Sequence, residues 1–134
     1  MSYMLDTNTV VFAIKNNINV ISAIKTHKNQ GLFISAITLS ELEHGVCNSL
    51  HQEKNRTALT NFLSILNTLP YDEKAAQEYG EIRTCLQKNG NLIGNMDMLI
   101  AAHAKSLSMT LVTNNTREFG RVNDLKIQDW SLAE

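Results

Sequence analysis

Short apolar runs, each halted by a polar residue and followed by apolar positions at helical spacing, recur along this chain and leave few folds open to it. Tyr3-Met4-Leu5 stops at Asp6; after Thr7, Asn8 and Thr9, the residues Val10, Val11, Ala13 and Ile14 return at the spacing of an amphipathic helix. Leu32-Phe33-Ile34 and Met109-Thr110-Leu111-Val112-Thr113 repeat the design. Strands that alternate with helices predict an α/β fold, a three-layer α/β/α arrangement around a central parallel sheet of four to five strands. In such a sheet the carboxyl ends of all strands share one edge, and ligands and chemistry collect there.

The intervening segments fill in the helices. After the first helix, Val20, Ile21 and Ile24 continue a helical pattern to Asn29-Gln30-Gly31, where the glycine stops it. Leu59, Phe62, Leu63 and Leu66 give one apolar stripe, and a short extended Thr68-Leu69-Pro70 follows. Ala75, Tyr79, Ile82 and Leu86 give another stripe, ended by Gly90. Met96, Leu99, Ile100, His103, Ala104 and Leu107 form a third, which predicts a helix buried against the sheet with His103 as a hydrogen-bonded core residue. Leu125-Lys126-Ile127-Gln128 alternates as an edge strand, and Trp130 packs the terminus down.

A chain of 134 residues predicts a single domain spanning 1–134, long enough to bury a core without disulfides or a structural metal. Cys47 and Cys85 lie far apart and outside any Cys-x-x-Cys pattern, so they read as free thiols of a reducing, cytoplasmic setting. No basic segment followed by a long apolar one opens the sequence, and no apolar run reaches membrane-spanning length, so neither export nor a membrane partner is expected. The formal net charge of -1 gives no bulk attraction to nucleic acid, so any such binding must come from local patches. Lys54, Arg56, Arg83 and Lys88 read as solvated helix faces with some reach toward a phosphate backbone.

Acidic residues stand where helices begin, and each has a local explanation. Asp6 can cap the first helix; Thr38-Leu39-Ser40-Glu41 matches the capping box, with Ile37 and Leu42 as its staple; Asp97 suits a first turn; Asn115 and Glu118 again have capping-box spacing. Topology changes the weighing. Parallel strands would bring Asp6, Glu41, Asp97 and the Asn115/Glu118 pair to one edge, and caps have no particular need of carboxylates. Carboxylates gathered together repel one another, and a hard divalent cation with oxygen ligands is the usual compensation. Magnesium, held by one or two carboxylates plus substrate phosphate, suits phosphodiester hydrolysis. A competing metal face made of His44, Cys47 and His51 is disfavoured, because Gly45, Asn48 and Ser49 predict a helix end before His51.

Four segments resemble the successive motifs of PIN-domain ribonucleases, and more closely those of VapC toxins from bacterial toxin–antitoxin pairs. They are Met4-Leu5-Asp6-Thr7-Asn8, Ser40-Glu41-Leu42-Glu43-His44-Gly45, Ile93 through Ala104 around Asp97, and Leu111 through Phe119. The resemblance covers nearly the whole chain in the right order. It implies a magnesium- or manganese-dependent endoribonuclease acting on structured RNA, with transfer RNA cut in the anticodon loop by several members. It also implies a cytoplasmic homodimer and a VapB-type antitoxin whose C-terminal segment blocks the active site, with DNA reached only through that antitoxin. Carried over by position, the catalytic set is Asp6, Glu41, Asp97, Asn115 and Glu118. Asp6 and Asp97 are the expected metal ligands, with Glu41 joining directly or through water. The fourth acidic position of many PIN domains falls on Asn115, which leaves Glu118 as the candidate for the missing charge.

Two other readings stand beside this one. A haloacid-dehalogenase-like phosphohydrolase also begins with an apolar strand ending in aspartate, but its second aspartate, the general acid, would fall on Asn8. A non-catalytic binding module, in which the acids only cap helices, is separated from a nuclease by metal-dependent RNA cleavage that EDTA abolishes.

Overall fold

The computed structural model describes residues 1–133. Five short parallel strands form one sheet: β1 (Tyr3–Leu5), β2 (Leu32–Ser35), β3 (Asn67–Leu69), β4 (Thr110–Val112) and β5 (Ile127–Gln128), in the spatial order β3-β2-β1-β4-β5. β1 is central. Its Tyr3 lies beside Leu32 on one side and Thr110 on the other, and Leu5 lies beside Val112. The chain therefore builds outward from β1 in one direction, then returns to build outward in the other. Strand order reverses between β1 and β4, and a crevice opens there at the carboxyl ends.

The helices are α1 (Thr7–Ile14), α2 (Ile18–His27), α3 (Ala36–Cys47), α4 (Gln52–Leu63), α5 (Glu73–Lys88), α6 (Asn95–Ser106) and the single turn α7 (Thr116–Phe119). Side chains alternate across the sheet. Tyr3, Leu5 and Val112 face a core shared with Val10, Val20, Ile24, Leu42, Val46 and Leu59. Met4 and Leu111 face the opposite core with Ile82, Leu86, Met98, Ile100 and Phe119. Met4, Leu5 and Leu111 are wholly inaccessible, and each such side chain contributes about 1.5–3 kcal/mol relative to exposure. Trp130 closes the first core, stacked on His27 at 4.7 Å between ring centres and tilted against Tyr3.

Three sequence expectations give way. The first helical pattern is two helices, because Asn16 takes a left-handed φ of 63° and Asn17 then caps α2, its side chain accepting from the backbone N–H groups of Asn19 and Val20. α3 begins at Ala36, capped by Ser35, so Thr38 lies inside the helix and the capping box at Thr38 and Glu41 does not form. The Thr38 hydroxyl is buried without a hydrogen-bond partner. In α6 the buried face runs through Met98, Ile100, Ala101, His103 and Ala104, while Met96 and Leu107 are exposed. His103 is a hydrogen-bonded core residue as expected, with Nδ1 2.7 Å from Ser35 Oγ. No helix among the described residues is long and apolar enough to cross a membrane.

Candidate active site

Asp6 follows β1 directly, and its backbone N–H donates to the carbonyl of Val112 at 3.0 Å, which ties it to the end of β4. Its carboxylate caps α1: Oδ1 accepts from the backbone N–H of Thr9 at 2.9 Å. The capping reading and the sheet-edge reading are therefore both correct for this residue. Only 4% of Asp6 is exposed. Burial raises its pKa, and the Glu41 charge raises it further; hydrogen bonds from the Thr113 hydroxyl and from Thr9 pull the other way.

Glu41 sits one turn into α3 and faces α1, where Thr7 Oγ1 donates to its Oε1 at 2.6 Å. The early start of α3 causes this. A glutamate in the second turn has no free backbone donor to cap, so its carboxylate reaches the next element.

Asp97 lies in the first turn of α6, which Gly94 caps without any side-chain bond. Its pKa is pushed up to about 6, first by burial and then by the charges of Glu41, Asp6 and Glu118. Carboxylates from four separate segments therefore act on one another. Asn115 precedes α7, and its Nδ2 donates to Glu118 Oε2 at 2.9 Å, which holds the glutamate at this edge. The backbone N–H of Asn115 is taken by Thr113 Oγ1, so Asn115 and Glu118 pair side chain to side chain and do not form a capping box.

All five residues singled out in the sequence reach the carboxyl edge of the sheet. Thr7 and Thr113 were not singled out, although each lies inside a segment that was. Their hydroxyls position the acids, and only the tertiary pairing of β1 with β4 and of α1 with α3 reveals it. His44, Cys47 and His51 do not form a site: Cys47 ends α3, and His51 precedes α4.

The donor set is all oxygen, which suits a hard cation rather than zinc. Among the described residues, no three acidic, histidine or cysteine side chains close into a ready-made cage. A cation that takes one or two carboxylates and completes its shell with water fits such an open arrangement, and magnesium has that habit. Beside the acids runs an apolar groove of about 270 Å³ between α1, α3 and α4, lined by Val11, Ile14, Leu42, Val46 and Leu59 and ending at Thr7 and Glu41.

Comparison with known proteins agrees with this architecture. The PIN domain profile matches residues 3–125. Ribonuclease VapC2 of Rickettsia felis is 42% identical over 137 residues, covering 97% of this chain and 98% of its own. The tRNA(fMet)-specific endonuclease VapC of Shigella flexneri is 42% identical over 132 residues, covering 98% and 99%. Among solved structures, VapBC2 from Rickettsia felis bound to a promoter DNA fragment superposes with a TM-score of 0.94 at 41% identity, covering 97% of this chain and 99% of that one. VapBC-1 from nontypeable Haemophilus influenzae superposes with a TM-score of 0.88 at 36% identity, covering 98% and 100%. With the PIN domain matched over residues 3–125, 42% identity to VapC ribonucleases over nearly its whole length and the same fold as VapBC proteins, the chain belongs to the PIN-domain family, in its VapC ribonuclease branch.

Proposed function

We propose that this protein is the toxin of a toxin–antitoxin pair, a divalent-cation-dependent endoribonuclease that hydrolyses phosphodiester bonds in transfer RNA. The observation that carries the proposal is the electrostatic crowding at the sheet edge, where Asp97 is driven to about 6 by burial and by Glu41, Asp6 and Glu118. Such crowding opposes folding, and a bound cation relieves it.

Asp6 and Asp97 hold the cation in this reading, with Glu41 reaching it directly or through a water. Magnesium is the first choice and manganese the second. When bound, the cation lowers the pKa of an attacking water and neutralises charge on the phosphate. The chain's own residues do the rest. Thr7 keeps Glu41 turned toward the crevice, where its carboxylate can accept a proton from the water. Thr113 and Thr9 hold the orientation of Asp6. Asn115 fixes Glu118 at the rim, the nearest substitute for a fourth acid.

A transfer RNA substrate is supported by the endonuclease of Shigella flexneri, named for tRNA(fMet), to which this chain is similar from end to end. A VapB-type antitoxin is supported by the VapBC complexes among the structural neighbours. Its inhibitory segment would lay apolar side chains along the groove that ends at Glu41 and place an arginine or lysine among the acids. On the same family grounds the protein acts in the cytoplasm as a single-domain homodimer, and it meets DNA only through the antitoxin.

The test is cleavage of tRNA(fMet) by the purified chain. Cleavage that needs magnesium or manganese, stops with EDTA and stops with the antitoxin is expected. Cleavage that persists in EDTA would contradict the need for a divalent cation, and no cleavage of any tRNA with any divalent cation would contradict the reading and favour a non-catalytic binding module.

A further inference from the structure

We propose that Arg83 is a phosphate-binding residue that seats the RNA strand beside Asp97, an inference that rests on the ribonuclease reading above. Arg83 projects from α5, exposed, at the rim next to the start of α6. Its Nη1 donates to the Tyr79 hydroxyl at 2.8 Å and to Asn95 Oδ1 at 3.3 Å, and the Tyr79 hydroxyl itself lies 3.3 Å from the same oxygen. Asn95 is the first residue of α6, two before Asp97. The guanidinium is thus anchored to the helix that carries a central acid.

The nature of the anchor sets its use. Tyr79 and Asn95 are neutral, so they fix the direction of the guanidinium without compensating its charge. By contrast, Arg56 of α4 pairs with Glu43, and Lys105 of α6 pairs with Glu78. Among the described residues Arg83 has no carboxylate within ion-pair distance. Its hydrogen bonds use Nη1 alone, which leaves Nε and Nη2 as a planar fork with the geometry of a phosphate's oxygens.

The site needs such a group. A phosphate that approaches Asp6, Glu41, Asp97 and Glu118 is repelled by them, and the whole chain, at a formal -1, offers no general attraction. A cation anchored to the first residue of the helix that carries Asp97 offsets part of that repulsion for a nucleotide next to the one being cut. Because Tyr79 already restrains the long side chain, less rotamer freedom is lost when RNA arrives.

Binding of labelled tRNA(fMet) to the full chain in EDTA, measured across potassium chloride concentrations, tests this without turnover. Arg83→Ala is expected to weaken binding by about tenfold and to reduce the slope of log K against log salt by roughly 0.7 to 0.9, the share of one phosphate contact. Arg83→Lys should recover much of the slope. With magnesium present, Arg83→Ala should raise KM more than it lowers kcat. Wild-type affinity and slope in an Arg83→Ala variant that melts like wild type would overturn the proposal. So would a loss confined to antitoxin binding, which would assign Arg83 to the protein partner instead. If Arg83→Ala fails to fold, Arg83→Gln applies the same criteria. Wild-type protein that cleaves tRNA while Arg83→Ala binds it normally refutes the anchor alone, whereas wild type that neither binds nor cleaves any tRNA refutes the ribonuclease reading too.

Discussion

Thr7 donates a 2.6 Å hydrogen bond to Glu41, joining the first turn of α1 to the second turn of α3 across 34 residues of sequence. The bond holds one carboxylate beside another, Asp6, which is already buried at the adjacent strand end. Bringing like charges together opposes folding, so the arrangement makes sense as a receptor for positive charge.

Glu41→Gln keeps an acceptor for the Thr7 hydroxyl and removes the charge. Its cleavage rate at saturating magnesium should fall by a factor of about a hundred, roughly 2.7 kcal/mol of transition-state stabilisation, with an unchanged melting temperature. Thr7→Val leaves the charge but frees the side chain, and a loss of about tenfold is expected from misplacement alone. A Gln variant that folds normally and cleaves at least a third as fast as wild type would falsify a catalytic part for Glu41.

Asp97 predicts an unusual pH response. Its pKa in the fold, about 6, lies above the unfolded value of 3.8, so the folded state binds the proton more tightly. Its contribution to stability is present in full below the unfolded value and is lost as pH rises through 6. Burial lowers the pKa of His103, whose stability contribution is present above its unfolded value and lost as pH falls. The two effects oppose, so the informative quantity is a difference. Relative to wild type without metal, Asp97→Asn should be more stable at pH 7 and should lose that advantage near pH 4. Melting curves of both proteins across this range decide it; a difference that does not vary with pH contradicts the crowding at Asp97.

Magnesium should reverse the sign of that crowding. A cation that binds only the folded state at 100 times its Kd adds about 2.7 kcal/mol of stability, and the proton on Asp97 competes with it. The melting temperature of wild type should therefore rise with magnesium at pH 7.5 and rise less at pH 5.5. Asp97→Asn should respond weakly at both. An equal response in wild type and variant would place the cation elsewhere.

Ser35 tests the scaffold rather than the chemistry. Its hydroxyl accepts from the backbone N–H of Ile37 at the start of α3 and meets the buried ring of His103 at 2.7 Å. Ser35→Ala removes a cap and strands a buried ring nitrogen, a combined cost of about 2–3 kcal/mol. Denaturant unfolding measures it, and a change under 0.5 kcal/mol would show that the two bonds do not matter.

Much of this molecule was legible in its sequence because β1, β2 and β4 are apolar runs too short to be helices, each followed by a polar break. Parallel pairing then put Asp6, Glu41, Asp97 and Asn115 on one edge with no contact known. What was hidden is local geometry that tertiary packing overrides. Thr38-Leu39-Ser40-Glu41 has the spacing of a capping box, yet Ser35 starts α3 three residues earlier because β2 ends there. Asn16 breaks one apparent helix into two by taking a left-handed conformation that asparagine tolerates and no periodicity signals. The links from Thr7 to Glu41 and from Thr113 to Asp6 depend on which elements become neighbours, so their sequence environments say only that the residues are polar.

Asp6 offers the most direct test, because asparagine caps a helix as well as aspartate does. Asp6→Asn keeps the oxygen that accepts from Thr9 and removes the charge. The measurement is the rate of tRNA(fMet) cleavage in saturating magnesium for wild type and Asp6→Asn, with melting temperature as the control for folding. The variant is expected to melt at least as high as wild type and to have lost cleavage by a factor of about a hundred or more. Asp6→Asn that cleaves at the wild-type rate would contradict it and leave the acid edge as a row of helix caps.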